Sequence, residues 1–371
     1  MGREDKIEEF EAELKKTKYN KKTQHHIGLV KAKIAKLKEE IEQKKKGKGI
    51  TTGYVLKKSG DVTVALVGFP SVGKSTLLNK ITNAESKVAA YEFTTLTVVP
   101  GLLNYKSARI QIFDVPGIVT GAAAGTGRGK EVLAAIRTAD LIIMVLDVNQ
   151  LHHHEILLQE LYDSGIRLNK KRPDVRIKRT SKGGMTISST VPLSVPKETL
   201  VAILKEFGVI NGSVLIRTPI NDDELIDIIE DNKAYIPGMI LLNKMDTVTK
   251  ERQEELKKLY PGAVIISAVK ELNLAKLKET IYQNLTLLRI YLKEPGKDAD
   301  MGEPMIMKEG DTLQKLCDKL HKDFSKKFRF ARIWGKSARY DGQKLVNLKH
   351  ELKDNDIVEL HSMMGGEDNF I

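Results

Sequence analysis

Eight residues constrain this chain more than any others: Gly68-Phe-Pro-Ser-Val-Gly73-Lys74-Ser75, set directly after an apolar run and before the helical stretch Thr76–Ile81. Glycines let a loop curl without a Cβ in the way, so that backbone N–H groups at Gly68, Ser71, Val72 and Gly73 can point at phosphate oxygens. The helix that follows adds its positive N-terminal end through Lys74, Ser75 and Thr76. Lys74 is placed to reach the outer phosphates, and the Ser75 hydroxyl to ligate Mg²⁺. Such a loop requires a strand before it and a helix after it. Asp61–Gly68, Arg109–Asp114, Asp140–Val148, Gly238–Asn243 and Ala263–Ser267 are short, β-branched, mostly apolar runs with helical stretches between several of them. The pattern predicts an α/β P-loop domain: a mostly parallel sheet with helices on both faces.

A phosphate loop does not select the base. Asn243-Lys244-Met245-Asp246 does, because an aspartate can accept hydrogen bonds from both the N1–H and the exocyclic amine of guanine, and adenine offers no such pair. Mispairing would leave the Asp246 carboxylate desolvated and unsatisfied. Asn243 and Lys244 are expected to tether the loop and cover the base. Ser267-Ala268 would complete the pocket through a backbone N–H. Between these segments Asp114-Val115-Pro116-Gly117 ends a strand; Asp114 can hold Mg²⁺ through water, and the Gly117 N–H can bond the γ-phosphate. In Phe93-Thr94-Thr95, Thr95 is favoured over Thr94 as a third Mg²⁺ ligand. These two loops are the order–disorder elements to expect when the γ-phosphate is lost.

Many GTPases place a glutamine after the DxxG to orient the attacking water, but Ile118 stands there and cannot. Unassisted turnover on the order of 10⁻⁴ to 10⁻² s⁻¹ is expected. Lys74, Thr95 and Gly117 then form the catalytic set. Arg128 and Lys130, in a glycine-rich loop, are candidates to complete it, although solvent-exposed charge is the plainer reading of both.

Composition bounds the rest. With 371 residues the chain can hold two or three folded units. No run approaches the ~20 apolar residues of a membrane span, and the charged N-terminus lacks a signal core. The single cysteine, Cys317, suits a reducing, cytoplasmic interior and reads as a buried apolar residue. Charge is unevenly spread: residues 1–50 carry net +6 and residues 166–222 net +7, while 51–165 carry 0, 223–288 net −2 and 289–371 net +1. Localised basicity of this kind is the footprint of a polyanion partner. The chain therefore divides into a basic helical hairpin over 1–50, a nucleotide domain over 51–165 and 223–292, a basic insertion over 166–222, and a small α+β tail over 293–371.

GFPSVGKST, YEFTTLT, DVPGI, GTGRGKEVL and NKMD together resemble the Obg-related GTPases, above all their developmentally regulated GTP-binding protein branch. The resemblance covers nearly the whole chain. It implies that the insertion is a small α+β subdomain like domain 2 of ribosomal protein S5, and that the tail is a TGS domain, a β-grasp module associated with RNA and ribosomes. It also implies that Gly73, Lys74, Ser75, Thr76, Thr95, Asp114, Gly117, Asn243, Lys244 and Asp246 serve the nucleotide. Some related enzymes use K⁺ held by a P-loop asparagine; Ser71 occupies that position here, which leaves K⁺ activation open.

Two kinds of partner compete. One is the ribosome or RNA, in translation, to which Lys319, Lys322, Lys326, Lys327, Arg329 and Arg332 would add a basic strip with Phe328 and Phe330 interleaved for stacking. The other is a protein activator or effector, with basicity serving only the rate of association. A membrane surface ranks last, because the hairpin's apolar faces hold one aromatic, Phe10. His152-His153-His154 read as surface residues, since adjacent helical side chains point about 100° apart and cannot share one ion.

Overall fold

The computed structural model describes residues 2–18, 20, 23–46, 60–82, 99–115, 134–321 and 324–362. Thr95, Gly117, Ile118, Arg128 and Lys130 lie outside the described residues, so their expected roles carry no geometry here.

The chain opens with helices α1 (Arg3–Lys16) and α2 (Gln24–Lys46), then enters β1 (Val62–Val67), α3 (Lys74–Ile81), β2 (Val99–Tyr105), β3 (Ala108–Asp114), β4 (Leu141–Asp147) and α4 (His153–Asp163). Next come β5 (Ile166–Leu168), β6 (Val175–Arg179), β7 (Met185–Ser189), α5 (Lys197–Glu206), β8 (Gly212–Ile216), α6 (Asp222–Glu230) and β9 (Ala234–Ile236). It returns through β10 (Gly238–Asn243), α7 (Lys250–Leu259), β11 (Val264–Ile265) and α8 (Leu274–Asn284). The end of the chain holds β12 (Leu287–Leu292), β13 (Met305–Lys308), α9 (Leu313–Leu320), α10 (Phe324–Lys327), β14 (Phe328–Trp334), β15 (Gln343–Leu345) and β16 (Ile357–Ser362). Chain contacts divide these into two compact units, residues 1–54 with 165–235, and residues 55–164 with 236–371.

The larger unit is built on a six-stranded sheet in the order β11-β10-β4-β1-β3-β2. All its pairings are parallel except β2 with β3. Every residue of β1 and β4 is buried, as continuous apolar runs covered on both faces demand. Leu77, Leu78 and Ile81 of α3 and Leu277 and Ile281 of α8 pack into the same core. The register sets Leu66 beside Asp114 and Asp147 beside Asn243, so polar residues collect at the carboxyl ends of the strands, where open parallel sheets bind ligands.

A five-stranded sheet, β13-β12-β16-β14-β15, completes this unit over a core of Leu288, Ile290, Met307, Leu313, Leu316, Ala331, Ile333 and Val358. The tail thus begins with β12 at Leu287, not at residue 293. The Gly- and Pro-rich stretch after Lys293 joins two strands of one sheet rather than two domains. Cys317 is buried and free, its thiol pushed up to about 11 by burial. The proposed stacking strip is not open: Phe328 packs against the core, and Phe330 stacks on His361 at 4.1 Å with Lys344 Nζ 4.3 Å from its centroid.

The smaller unit corrects two further boundaries. The basic insertion extends through α6, whose Leu225, Ile226 and Ile228 share a core with Leu200, Ile203 and Leu204 of α5. The acidic run Asp222-Asp223-Glu224 looks like a change of domain by charge, yet it is the first turn of a helix, where acids are favoured. Asn221 closes a capping box there: its Oδ1 accepts from Glu224 N at 2.9 Å, and its own N–H donates to Glu224 Oε2 at 3.0 Å. The N-terminal hairpin is not a separate module, since Ala32 of α2 lies in this same core. Arg167 and Asp227 form a buried two-pronged ion pair, Nε to Oδ2 at 2.5 Å and Nη2 to Oδ1 at 2.7 Å.

The three-stranded sheet β6-β8-β7 turns Val175, Ile177, Met185, Ile187, Val214 and Ile216 inward. Alternation sends Arg176, Lys178, Thr186, Ser188, Ser213 and Leu215 to the other face. Register aligns Lys178, Ser213 and Thr186 in one row and Arg176, Leu215 and Ser188 in the next. None of these six residues is acidic. Among the described residues no helix is long and apolar enough to cross a membrane.

Candidate nucleotide site

The loop between β1 and α3 can only be built with glycine at two places. A Cβ on Gly68 would strike the Val145 carbonyl of the neighbouring strand. Gly73 has φ +94°, and a Cβ there would strike Asn243 Nδ2. The loop therefore closes tightly on β4 below and on the NKMD segment beside it.

Lys74 opens α3 and is buried, with Nζ donating to Gly68 O at 2.9 Å and to Phe69 O at 3.0 Å. Burial lowers its pKa, and the Asp114 charge opposes that shift. Its ammonium is thus held over the mouth of the loop. Ser75 Oγ donates to Asp114 Oδ2 at 2.6 Å. The second carboxylate oxygen, Asp114 Oδ1, is buried and has no hydrogen-bond partner among the described residues. A hydroxyl and a half-satisfied carboxylate side by side form an oxygen donor set suited to a hard cation such as Mg²⁺.

Asn243 joins three segments. Its Nδ2 donates to Val72 O at 2.8 Å, and its Oδ1 accepts from Ala268 N at 3.0 Å. The side chain is 2% exposed, so both bonds are shielded from water. Lys244 follows in the left-handed region at φ 68°, which swings the chain into the short turn Met245–Thr247 and leaves Asp246 exposed. Ser267 is fully buried and its Oγ accepts from Lys270 N at 3.1 Å, shaping the turn that presents Ala268. Gly68, Ser71, Val72, Gly73, Lys74, Ser75, Thr76, Asp114, Asn243, Lys244, Asp246, Ser267 and Ala268 therefore lie at, or just beyond, the carboxyl ends of β1, β3, β10 and β11, some in the strands, some in loops and three in the first turn of α3.

Sequence reasoning passed over the segment after β4. Asp147 Oδ2 pairs with Lys244 Nζ at 2.7 Å, and Asp147 Oδ1 accepts from Asn149 N at 2.9 Å and Asn149 Nδ2 at 3.1 Å. Burial would raise this carboxyl's pKa, but Lys244 and Asn149 outweigh it and hold the group below its ordinary value. A carboxylate ending the apolar run DLIIMVLD was the available signal. The surface reading of the histidines also needs correction: His153 stacks on Phe69 of the phosphate loop at 3.8 Å and 11°. His154 meets Tyr260 edge-on at 5.4 Å. Among the described residues no group of three His, Cys, Asp or Glu could hold a metal ion.

Comparison with known proteins agrees with this architecture. Residues 63–177 match the family described as 50S ribosome-binding GTPase, residues 182–287 the C-terminal region that accompanies it, and residues 288–362 the TGS domain. An uncharacterized GTP-binding protein of Methanocaldococcus jannaschii is 50% identical over 365 residues, covering 97% of this chain and 93% of that one. Human developmentally-regulated GTP-binding protein 2 is 41% identical over 363 residues, 97% of this chain and 99% of that one. Among solved structures, the Schizosaccharomyces pombe YchF GTPase aligns with 82% of this chain and 98% of its own at 15% identity, with a TM-score of 0.44.

Proposed function

We propose, for a chain that belongs to the developmentally regulated GTP-binding protein family of GTPases, a division of labour between one closed nucleotide site and one open basic face. The site reads guanine through Asp246, holds phosphates on the Gly68–Ser75 backbone and Lys74, and is kept in register by Asn243. The observation that carries this reading is the pair of hydrogen bonds that Asn243 makes, donating to Val72 O and accepting from Ala268 N, which ties the phosphate loop to both base loops.

Ser75, Thr95 and Asp114 would hold Mg²⁺, which supplies positive charge to the outer phosphates. The buried and unpartnered Asp114 Oδ1 supports that assignment. Lys74 neutralises charge as the γ-phosphate departs. With Ile118 in place of a water-orienting glutamine, hydrolysis is slow until a partner or a cationic side chain such as Arg128 or Lys130 completes the site. Asp246→Asn tests the base assignment: GDP affinity should collapse and xanthosine diphosphate affinity should rise. An unchanged preference for GDP would overturn it.

The second layer is association with ribosomes or RNA in translation. In the insertion, Lys171, Arg176, Lys178, Arg179 and Lys182 have no acidic partner among the described residues, while Arg172 and Arg217 are paired with Asp231 and Asp174. Free cations interleaved with the Thr186, Ser188 and Ser213 hydroxyls suit a phosphate backbone. The matched family's description as a 50S ribosome-binding GTPase supports the same reading. Steady-state GTP hydrolysis with and without ribosomes tests it. Strong stimulation is expected, and tight GTP binding without stimulation would favour a dedicated protein activator.

A further inference from the structure

Asp147 closes a strand whose other six residues, Leu141 to Leu146, are apolar and buried, and it is itself 5% exposed. A carboxylate persists in such a place only when its oxygens are satisfied. Here they are satisfied by the guanine-reading loop and by the turn beneath it. Lys244 Nζ takes one oxygen at 2.7 Å, and Asn149 takes the other with both its backbone and side-chain nitrogens. The same Asn149 Nδ2 reaches on to Thr247 Oγ1 at 3.0 Å, and Thr247 Oγ1 donates back to Lys244 O at 2.8 Å. Val148 N donates to Asn243 O at 3.1 Å. Asn243, Lys244 and Thr247 are thus all gripped by three consecutive residues that belong to none of the recognised motifs. Among the described residues Asp246 has no such tether, and it sits between Lys244 and Thr247, both of which are held.

The turn does not end there. Six residues beyond Asp147, His153 lies flat against Phe69, whose carbonyl accepts from Lys74 Nζ at 3.0 Å. One short segment therefore touches the base-reading loop at its start and the phosphate loop at its end. Lys244 adopts a left-handed conformation that a lysine rarely takes unaided, and the Asp147 pair opposes its relaxation.

We propose that Asp147 and Asn149 are positioning residues for guanine recognition, and that the turn from Asp147 to His153 couples the base end of the site to the phosphate end. This rests on the reading of Asp246 as the base-selecting group. Asp147 fixes the direction of Lys244, Asn149 fixes Thr247, and Asp246 between them is aimed without touching either directly. His153 fixes Phe69, whose backbone carbonyl accepts from Lys74 Nζ.

The test compares affinities for GDP, inosine diphosphate and ADP, with melting of the nucleotide-free protein measured in parallel. Asp147→Asn keeps the shape and removes the charge. It should weaken GDP binding ~10-fold or more and narrow the preference for GDP over inosine diphosphate, which lacks the exocyclic amine. Asn149→Ala should act in the same direction. A purely structural role would lower the melting point while leaving both quantities unchanged well below the transition, and that result would overturn the proposal. His153→Ala should weaken GDP and ADP alike by ~2–10-fold, and His153→Phe, which keeps the stack, should restore binding. Failure of His153→Phe to restore it would overturn the coupling. If Asp246→Asn leaves base preference intact as well, the fault lies with the base assignment and not with the clasp around it.

Discussion

Around the nucleotide loops, buried charge is met by a partner: Asp147 by Lys244 and Asn149, Lys74 by two carbonyls, and one oxygen of Asp114 by the Ser75 hydroxyl. The other oxygen, Asp114 Oδ1, has no hydrogen-bond partner among the described residues and is the atom a cation would complete. On the outer face of the inserted sheet the arrangement is opposite. Arg176 and Lys178 stand exposed in rows with Leu215 and Ser213, and no residue of those two rows is acidic. A small ligand must be met by groups already desolvated and fixed in place, since each misplaced polar atom costs the full desolvation of its partner. A long polyanion can be met by solvated charges, because its binding is driven by counterion release. The two regions therefore respond differently to mutation, pH and salt.

The largest effect should come from a buried ion pair of the inserted unit. Arg167→Ala leaves Asp227 buried and unpaired, and should cost about 3–5 kcal/mol. Chemical denaturation should show that loss in the transition of the smaller unit. A loss of GDP affinity equal to that of a site variant would break the separation drawn here.

Asn243→Ala should follow. It removes two buried hydrogen bonds and orphans Val72 O and Ala268 N, for about 2–3 kcal/mol. GDP titration should register this, whereas RNA binding in the absence of nucleotide should not.

The smallest effect is a predicted flatness. The folded pKa of Asp147 is depressed, so its stabilisation is complete above the unfolded value and is lost only as pH falls through the folded one. GDP affinity attributable to the Asp147–Lys244 pair should hold from pH 8 down to about pH 5. A decline centred near pH 6 would place a different group in control.

How much of this was legible beforehand depends on how local the cause is. The phosphate loop and the Asn243–Asp246 segment are written in adjacent residues, so spacing alone revealed them. The buried strands β1, β3, β4 and β10 were readable because continuous apolar runs have few alternatives. β2 was not, because Pro100 and Gly101 disguise it; both are tolerable there because it lies on the sheet edge. The true limits of the insertion were hidden by its charge: an acidic helix start at Asp222 mimics a boundary, and only the packing of Leu225 beside Leu200 exposes the continuity. Asp147 escaped notice because its partners, Lys244 and Thr247 by way of Asn149, come from a strand and turn roughly a hundred residues away. Pairing of that kind is decided by the sheet register, which no single segment contains.

The contrast between the two regions is tested most directly by a salt series on the parent chain and on Arg176→Ala/Lys178→Ala. Binding to intact ribosomes and binding to GDP should be measured on the same preparations. The double variant should lower the slope of log affinity against log salt by about 2 while GDP affinity stays at the parent value. An unchanged slope would show that the inserted sheet is not the surface that meets the polyanion.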